Sequence, residues 1–324
     1  MHSGINEILK ERFGVVPTSV SEVTGGFSAK AYRVDAGRAY FLKVYDRSLP
    51  TMRPFIARIG AYMPALGWLA ATPALRGRIA HPIPALDGTY QVQTCDHVFL
   101  LFAYIRGETP GGKGLTLRQT EELAETLAIL HDTGRHIPFG TPGLTEDISL
   151  PFCEKLERYL SETDPEASVL SRLVCPHAAM LRSAIKETVR LRDTVRVGAG
   201  PLVLCHADAH PWNVMQSDRL VLVDWEDLRW APAEADLFMH ALSPHWAAFW
   251  KAYSAIRSDF RIDAGLMRFY LIRRRLDDMW MDIERITQED PTEGEVAEML
   301  GWIASSISEA RQILSGLVHE TVLQ

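Results

Sequence analysis

The sequence predicts an α+β fold in two lobes, and three observations carry that expectation. The first third reads as short strands joined by tight turns. From Thr116 onward apolar residues recur at helical spacing. Between the later helices, residues 204–227 form a polar loop flanked by short apolar strands.

Taken in order, Ile5, Ile8, Leu9 and Phe13 predict a short amphipathic helix stopped at Gly14. Residues 20–23, 29–34 and 39–45 are β-rich runs, broken at Gly25-Gly26 and at Asp35-Ala36-Gly37, which reads as an antiparallel meander. Residues 55–71 have a helical pattern but contain Gly60, Pro64 and Gly67, so a bent or divided helix is expected. Two further strands, 89–93 and 97–105, would complete a five-stranded antiparallel sheet. A hinge at residues 103–107 then leads into helices at 117–131, 151–160, 178–195, 234–242, 246–256, 264–286 and 293–317. The boundaries expected are an N-terminal lobe of residues 1–104 and a larger, mainly helical lobe of residues 105–324.

Composition narrows the class of protein. At 324 residues, with 47% hydrophobic and 23% charged residues, the chain is an ordinary globular protein able to bury a substantial core. A formal charge of −7 disfavours a nucleic-acid partner and mildly favours a cationic small substrate. Cys95, Cys153, Cys175 and Cys205 lack the paired spacing of a zinc knuckle or disulfide framework. The first residues, MHSGINEILKERFG, alternate charge with apolar positions, so a secretory leader is not expected, and no run approaches the roughly 20 apolar residues of a membrane span. The expectation is a cytoplasmic enzyme, monomeric or homodimeric.

The chemistry concentrates in LCHADAHPWNVMQSDRLVLVDWED, residues 204–227, with a turn at Ser217 and Asp218. Asp208 and Asn213 share the loop, and Asp224 closes the second apolar strand. One carboxylate able to take a proton, with an amide and a second carboxylate able to hold magnesium, is a minimal set for moving a phosphoryl group from ATP to a hydroxyl. Asp, Asn and Pro also cluster in plain turns. Moreover, His206, Asp208 and His210 at alternate positions leave a transition-metal hydrolase as the competing chemistry. In the run YFLKVY, Lys43 is flanked by apolar residues and needs a partner or ligand to offset desolvation, unless it snorkels from an edge strand.

The pattern His206-x-Asp208-x-x-x-x-Asn213, followed by Asp224-Trp225-Glu226, resembles the catalytic loop and metal segment of the aminoglycoside phosphotransferase and choline kinase families. With the proline-containing turn and Glu-x-Asp-Leu that follow, the layout looks closest to the spectinomycin phosphotransferase branch. The resemblance implies a bilobal, protein-kinase-like fold using ATP and Mg2+, with GTP an open alternative. It implies Asp208 as catalytic base, Asn213 and Asp224 as metal ligands, and His206 and Asp236 as residues that shape the loop. On the nucleotide side it implies Gly25, Gly26 and Ser28 near the phosphates and Lys43 on the α- and β-phosphates. Phe102 and the backbone of Ala103 and Ile105 would then meet the base. Candidate acceptor walls are Trp212, Glu226, Asp227, Trp230, Asp277 and Asp278, with an aminoglycoside or aminocyclitol as the implied acceptor; choline, homoserine, ketosamine and macrolide kinases share the same loop. Such kinases pair the lysine with a glutamate from the following helix. Here no acid lies between Asp46 and Asp87, which leaves another acid reaching Lys43 from elsewhere, with Asp46 and Glu22 nearby in the chain, or nucleotide and water alone, and keeps a non-catalytic nucleotide-binding chain in play.

Overall fold

Strand β3 (Arg38–Asp46) shows how the chain sorts its side chains. Its alternation sends Tyr40, Leu42 and Val44 into a core with Ile5, Leu9 and Phe13 of helix α1 (His2–Phe13), while Lys43 and Tyr45 share the opposite face. Helix α1 stops where the sequence predicts, at Gly14 with φ +67°. The computed structural model describes residues 2–23, 29–49, 52–198 and 201–316. Gly25, Gly26 and Ser28 therefore lie outside the described residues.

β1 (Ser19–Val23), β2 (Lys30–Ala36) and β3 form the expected meander, and the sheet runs β1-β2-β3-β6-β4 with β5 also on β6. β4 is Pro82–Ile83, β5 Val92–Gln93 and β6 His97–Ala103. The sheet has six strands instead of five because Pro82–Ile83 pairs with β6; two residues are too few to show alternation, and the edge tolerates a residue without an N–H. Helix α2 (Arg53–Ala71) is a single helix, not a divided one. Pro64 removes one helical donor, but the buried side chains of Ile59, Tyr62, Met63, Leu66 and Leu69 hold the helix through it. Gly67 is there for another reason: a Cβ would fall 2.3 Å from the Tyr90 ring.

Contacts divide the chain into two compact units, and the division is not a cut at one point in the sequence. The first comprises Met1–Thr145, Val203–Ala231 and Ala247–Asp259; the second comprises Glu146–Leu202, Pro232–Trp246 and Phe260–Gln324. Besides the sheet, the first unit holds α3 (Leu117–Gly134), started by a reciprocal Thr116–Gln119 cap, and most of α8 (Trp246–Ile256). His131, near the end of α3, is fully buried and bonded to the Tyr253 hydroxyl at 2.7 Å. The same unit carries β7 (Val203–Cys205), β8 (Val214–Gln216), β9 (Leu220–Leu222) and β10 (Arg229–Ala231). The turn at Ser217 and Asp218 joins β8 to β9, whereas β7 pairs with β10 and not with the strand that ends at the acid.

The second unit is helical: α4 (Pro151–Glu162), α5 (Val169–Val174), α6 (Ala178–Gly198), α7 (Glu234–Leu237), α9 (Ala264–Gln288) and α10 (Glu293–Leu314). Helix α5 is absent from the sequence reading because six residues carry too little periodicity. The segment expected as one helix at 234–242 is α7 followed by a 3-10 turn at Phe238–His240. Within this unit Glu146 accepts from Tyr270 at 2.5 Å and from Arg273 at 2.6 Å. Among the described residues no helix is long and apolar enough to cross a membrane, and all four cysteines are free.

Asp282 on α9 yields a pH prediction. Burial, aided by the like charge of Asp278 and opposed by Arg285, pushes its carboxyl pKa up to about 6. The folded state thus binds this proton more tightly than the unfolded chain does, so the group lowers stability as pH rises from about 4 through about 6. The unscreened penalty, about 3 kcal/mol, shrinks to about 1 kcal/mol for a half-exposed side chain. Calorimetry of Asp282→Asn should show a melting temperature raised by about 2–4 °C at about pH 7.5 and a much smaller gain at about pH 4. An equal gain at both pH values would remove the charge explanation.

Candidate active site

Lys43 answers the question that the sequence leaves open. Its ammonium donates to Asp224 Oδ1 at 2.7 Å and to Glu226 Oε1 at 2.8 Å. The partner is therefore neither Asp46 nor Glu22, nor an acid on α2. Both carboxylates come from the Asp-Trp-Glu segment after β9. Burial alone would lower the lysine pKa, but the two carboxylates outweigh it and hold the ammonium charged well above its ordinary range. Tyr45, on the same strand face as Lys43, donates its hydroxyl to Glu226 Oε1 at 2.5 Å, and burial raises its pKa, so it stays a donor. From α2, Arg58 donates to the backbone carbonyls of Glu226 at 3.1 Å and Leu228 at 3.0 Å.

The loop before β8 is organised around Asp208. Asn213 Nδ2 donates to the Asp208 backbone oxygen at 2.9 Å and to its Oδ2 at 2.7 Å, so Asn213 Oδ1 is the atom on offer to a cation. Asp208 N–H donates to His206 Nδ1 at 3.3 Å, which fixes the proton on Nε2, and Nε2 meets the Val223 carbonyl at 2.9 Å. The same logic holds at His210: Nδ1 accepts from Trp212 N–H at 3.2 Å, and Nε2 faces Asp208 Oδ2 at 3.3 Å. With both nitrogens of both rings engaged, His206 and His210 do not present the open imidazoles that a transition-metal site needs. The Trp225 ring packs edge-on against His206, centroids 4.7 Å apart, beneath the loop.

Two non-glycine residues adopt left-handed backbone here, Ala207 at φ +65° and Asp224 at φ +63°. Such a conformation costs an alanine about 1 kcal/mol, and its concentration beside Asp208 and at Asp224 marks where the fold gives up stability to aim side chains. The Val223 N–H donates to the Asn213 carbonyl at 2.9 Å, and β8 pairs with β9 from Val214↔Leu222 onward. Asn213 is thereby held one residue from Asp224. A chain of contacts runs from Asp208 through Asn213 and Val223 to Asp224 and Lys43. Side-chain oxygens such as those of Asn213 and Asp224 are of the type that a hard cation such as Mg2+ prefers. Among the described residues Asp224 Oδ2 meets no protein donor, which leaves it open to a ligand.

Residues 19–270 match the family described as the phosphotransferase enzyme family. The chain belongs to that family. A curated relative, Protein StrN of Streptomyces griseus, is 24% identical over 214 residues, a match spanning 62% of this chain and 62% of StrN. Among solved structures, spectinomycin phosphotransferase APH(9)-Ia in complex with ADP and spectinomycin is similar with TM-score 0.75 at 17% identity, covering 96% of this chain and 98% of that one. A microcompartment-associated aminopropanol kinase is similar with TM-score 0.66 at 18% identity, covering 100% and 99%. At such identities the two structures establish a shared, kinase-like fold.

Other candidate residues of this phosphotransferase-family chain fall into distinct settings. Phe102 and Ala103 end β6, but the Ala103 N–H is given to the His81 carbonyl at 2.9 Å, so a base could meet Ala103 only through its carbonyl oxygen. Glu226 Oε1 accepts from Lys43. Trp230 gives its indole N–H to Thr141 at 2.7 Å, and Asp227 is paired with Arg229. Trp212 is the open aromatic, 63% exposed, with its ring over Gly111 and Gly112. Asp236, Asp277 and Asp278 belong to the second unit, where Asp278 pairs with Arg274 at 2.8 Å. Sequence reading missed Tyr45 and Arg58 as site residues. Tyr45 had a signal, since two residues along a strand from Lys43 must share its face. Arg58, inside an apolar helix, had only its charge.

Proposed function

We propose that this protein is an ATP- and Mg2+-dependent O-phosphotransferase acting on a hydroxyl of a small molecule, an aminoglycoside or aminocyclitol by preference. The observation that carries the reading is the chain Asp208–Asn213–Val223–Asp224–Lys43, which brings together the groups read as a base, two oxygen ligands and a cation. In this reading residues 1–104 bind nucleotide, with Gly25, Gly26, Ser28 and Lys43 on the phosphates and Phe102, Ala103 and Ile105 at the base. Residues 105–324 carry the catalytic loop, and Trp212, Asp227 and Trp230 beside it meet the acceptor. Asp208 orients the acceptor hydroxyl and takes its proton. The oxygen attacks the γ-phosphorus, the bond from the γ-phosphorus to the β–γ bridging oxygen breaks, and ADP leaves with the electron pair. Asn213 and Asp224 would hold Mg2+, which supplies charge neutralisation to the phosphates. His206 keeps the loop in shape.

The complex of the spectinomycin enzyme with ADP supports nucleotide use, and its acceptor supports an aminocyclitol. The likeness to an aminopropanol kinase favours a second reading, a small amino alcohol. The non-catalytic reading loses its motive, because Lys43 has two acidic partners. A phosphate-transfer screen by mass spectrometry over aminoglycosides, aminocyclitols and small amino alcohols, with Mg2+ and ATP or GTP, separates these readings. A gain of one phosphoryl mass on an aminoglycoside or aminocyclitol is the expected result. Product from amino alcohols alone would transfer the reading to the second class, and product from none, with nucleotide bound, would overturn both.

A further inference from the structure

The site holds two carboxylates on one lysine, and their surroundings differ. The Asp224 side chain is 40% exposed, whereas that of Glu226 is 11% exposed. Glu226 is restrained three times over: Oε1 accepts from Tyr45 as well as Lys43, and Arg58 grips the main chain at Glu226 and Leu228. Asp224 has no such restraint among the described residues, and it occupies the position from which a cation would be held. Once Asp224 turns to a metal, Lys43 keeps a single protein acceptor, because the described part of the segment between Asp46 and Asp87 supplies no acid and α2 itself sends an arginine.

We infer that Glu226 is the positioning residue for Lys43, a role that helical acids fill in related kinases, with Tyr45 and Arg58 holding Glu226 in place. The inference rests on the phosphotransferase reading and deepens it. The last residue of Asp-Trp-Glu thus serves the lysine and not the metal or the acceptor. Helix α2 acts at one remove, fixing the main chain that carries Glu226. A buried acceptor that cannot swing away keeps the ammonium extended toward the phosphates while Asp224 changes partners.

A double-mutant cycle on Mg·ADP affinity by titration calorimetry tests this without knowledge of the acceptor. Wild type, Lys43→Met, Glu226→Gln and the double variant are compared, with melting temperatures to confirm folding. Glu226→Gln should weaken Mg·ADP binding roughly tenfold when Lys43 is present and by less than about twofold in the Lys43→Met background. Tyr45→Phe, which keeps the carboxylate but removes its second donor, should weaken binding by about two- to threefold. A Glu226→Gln affinity equal to wild type, or the same loss with and without Lys43, overturns the inference and leaves the phosphotransferase reading intact. No Mg·ADP binding by the wild type overturns both. If Glu226→Gln does not fold, the cycle is run with Glu226→Asp, whose shorter reach withdraws the carboxylate from the lysine, and unchanged affinity overturns the inference equally.

Discussion

Replacing Asp208 by asparagine should lower turnover by about 10²–10⁴ while Mg·ATP affinity moves by less than about threefold. Asparagine is nearly isosteric and still offers an oxygen to Asn213 Nδ2, which lies 2.7 Å from Asp208 Oδ2, so the loop keeps its shape. What the variant loses is the ability to take a proton from the acceptor hydroxyl. Single-turnover kinetics with the best acceptor of the screen, alongside nucleotide titration, make the measurement. Turnover comparable to wild type would remove Asp208 as base and leave it a scaffold residue. A loss of nucleotide affinity as large as the loss of turnover would point to a disturbed Asn213 and Asp224.

Gly107→Ala should be the most destabilising small substitution in the first unit. A Cβ there would lie 2.0 Å from the Gln216 carbonyl oxygen and 2.7 Å from its carbon. Both atoms are backbone and cannot rotate away. They are held by a reciprocal pair, Glu108 N–H to Gln216 O at 3.2 Å and Gln216 N–H to Glu108 O at 2.8 Å. Relieving the clash means opening that bridge, at about 1 kcal/mol for each lost hydrogen bond plus strain, about 3 kcal/mol in all. The melting temperature should fall by about 6–12 °C. Gly140→Ala, which meets nothing within 4 Å, is the control and should shift it by less than about 2 °C. Because residue 107 ends the expected hinge and Gln216 ends β8, the KM for ATP should rise as well. A melting temperature unchanged by Gly107→Ala would mean that hinge and hairpin do not touch as described.

The elements legible in the sequence are those whose information is local. Period-two alternation in β3, the continuous apolar run of β6, helical periodicity in α1, α3, α6, α9 and α10, and turn residues at Gly37 and Ser217-Asp218 fall where pattern alone puts them. Helix α2 misled because Gly60, Pro64 and Gly67 are breakers by propensity, yet the burial of one face overrides them. Likewise β4 and α5 were too short to carry a period. The candidate loop was readable because Asp208, Asn213 and Asp224 are near neighbours in the chain, with spacing dictated by one turn and one hairpin.

By itself the sequence determined the two-part α+β composition, the family and the loop that gathers Asp208 and Asn213 next to Asp224, since each rests on residues within about one element of one another. Only the tertiary structure decided what holds Lys43. Glu226 lies 183 residues away in the chain, and Tyr45 joins it from β3. No local pattern encodes a meeting at that separation; it follows from packing, which set Arg58 of α2 against the main chain after Asp224 and brought a buried carboxylate to the one lysine that needed it.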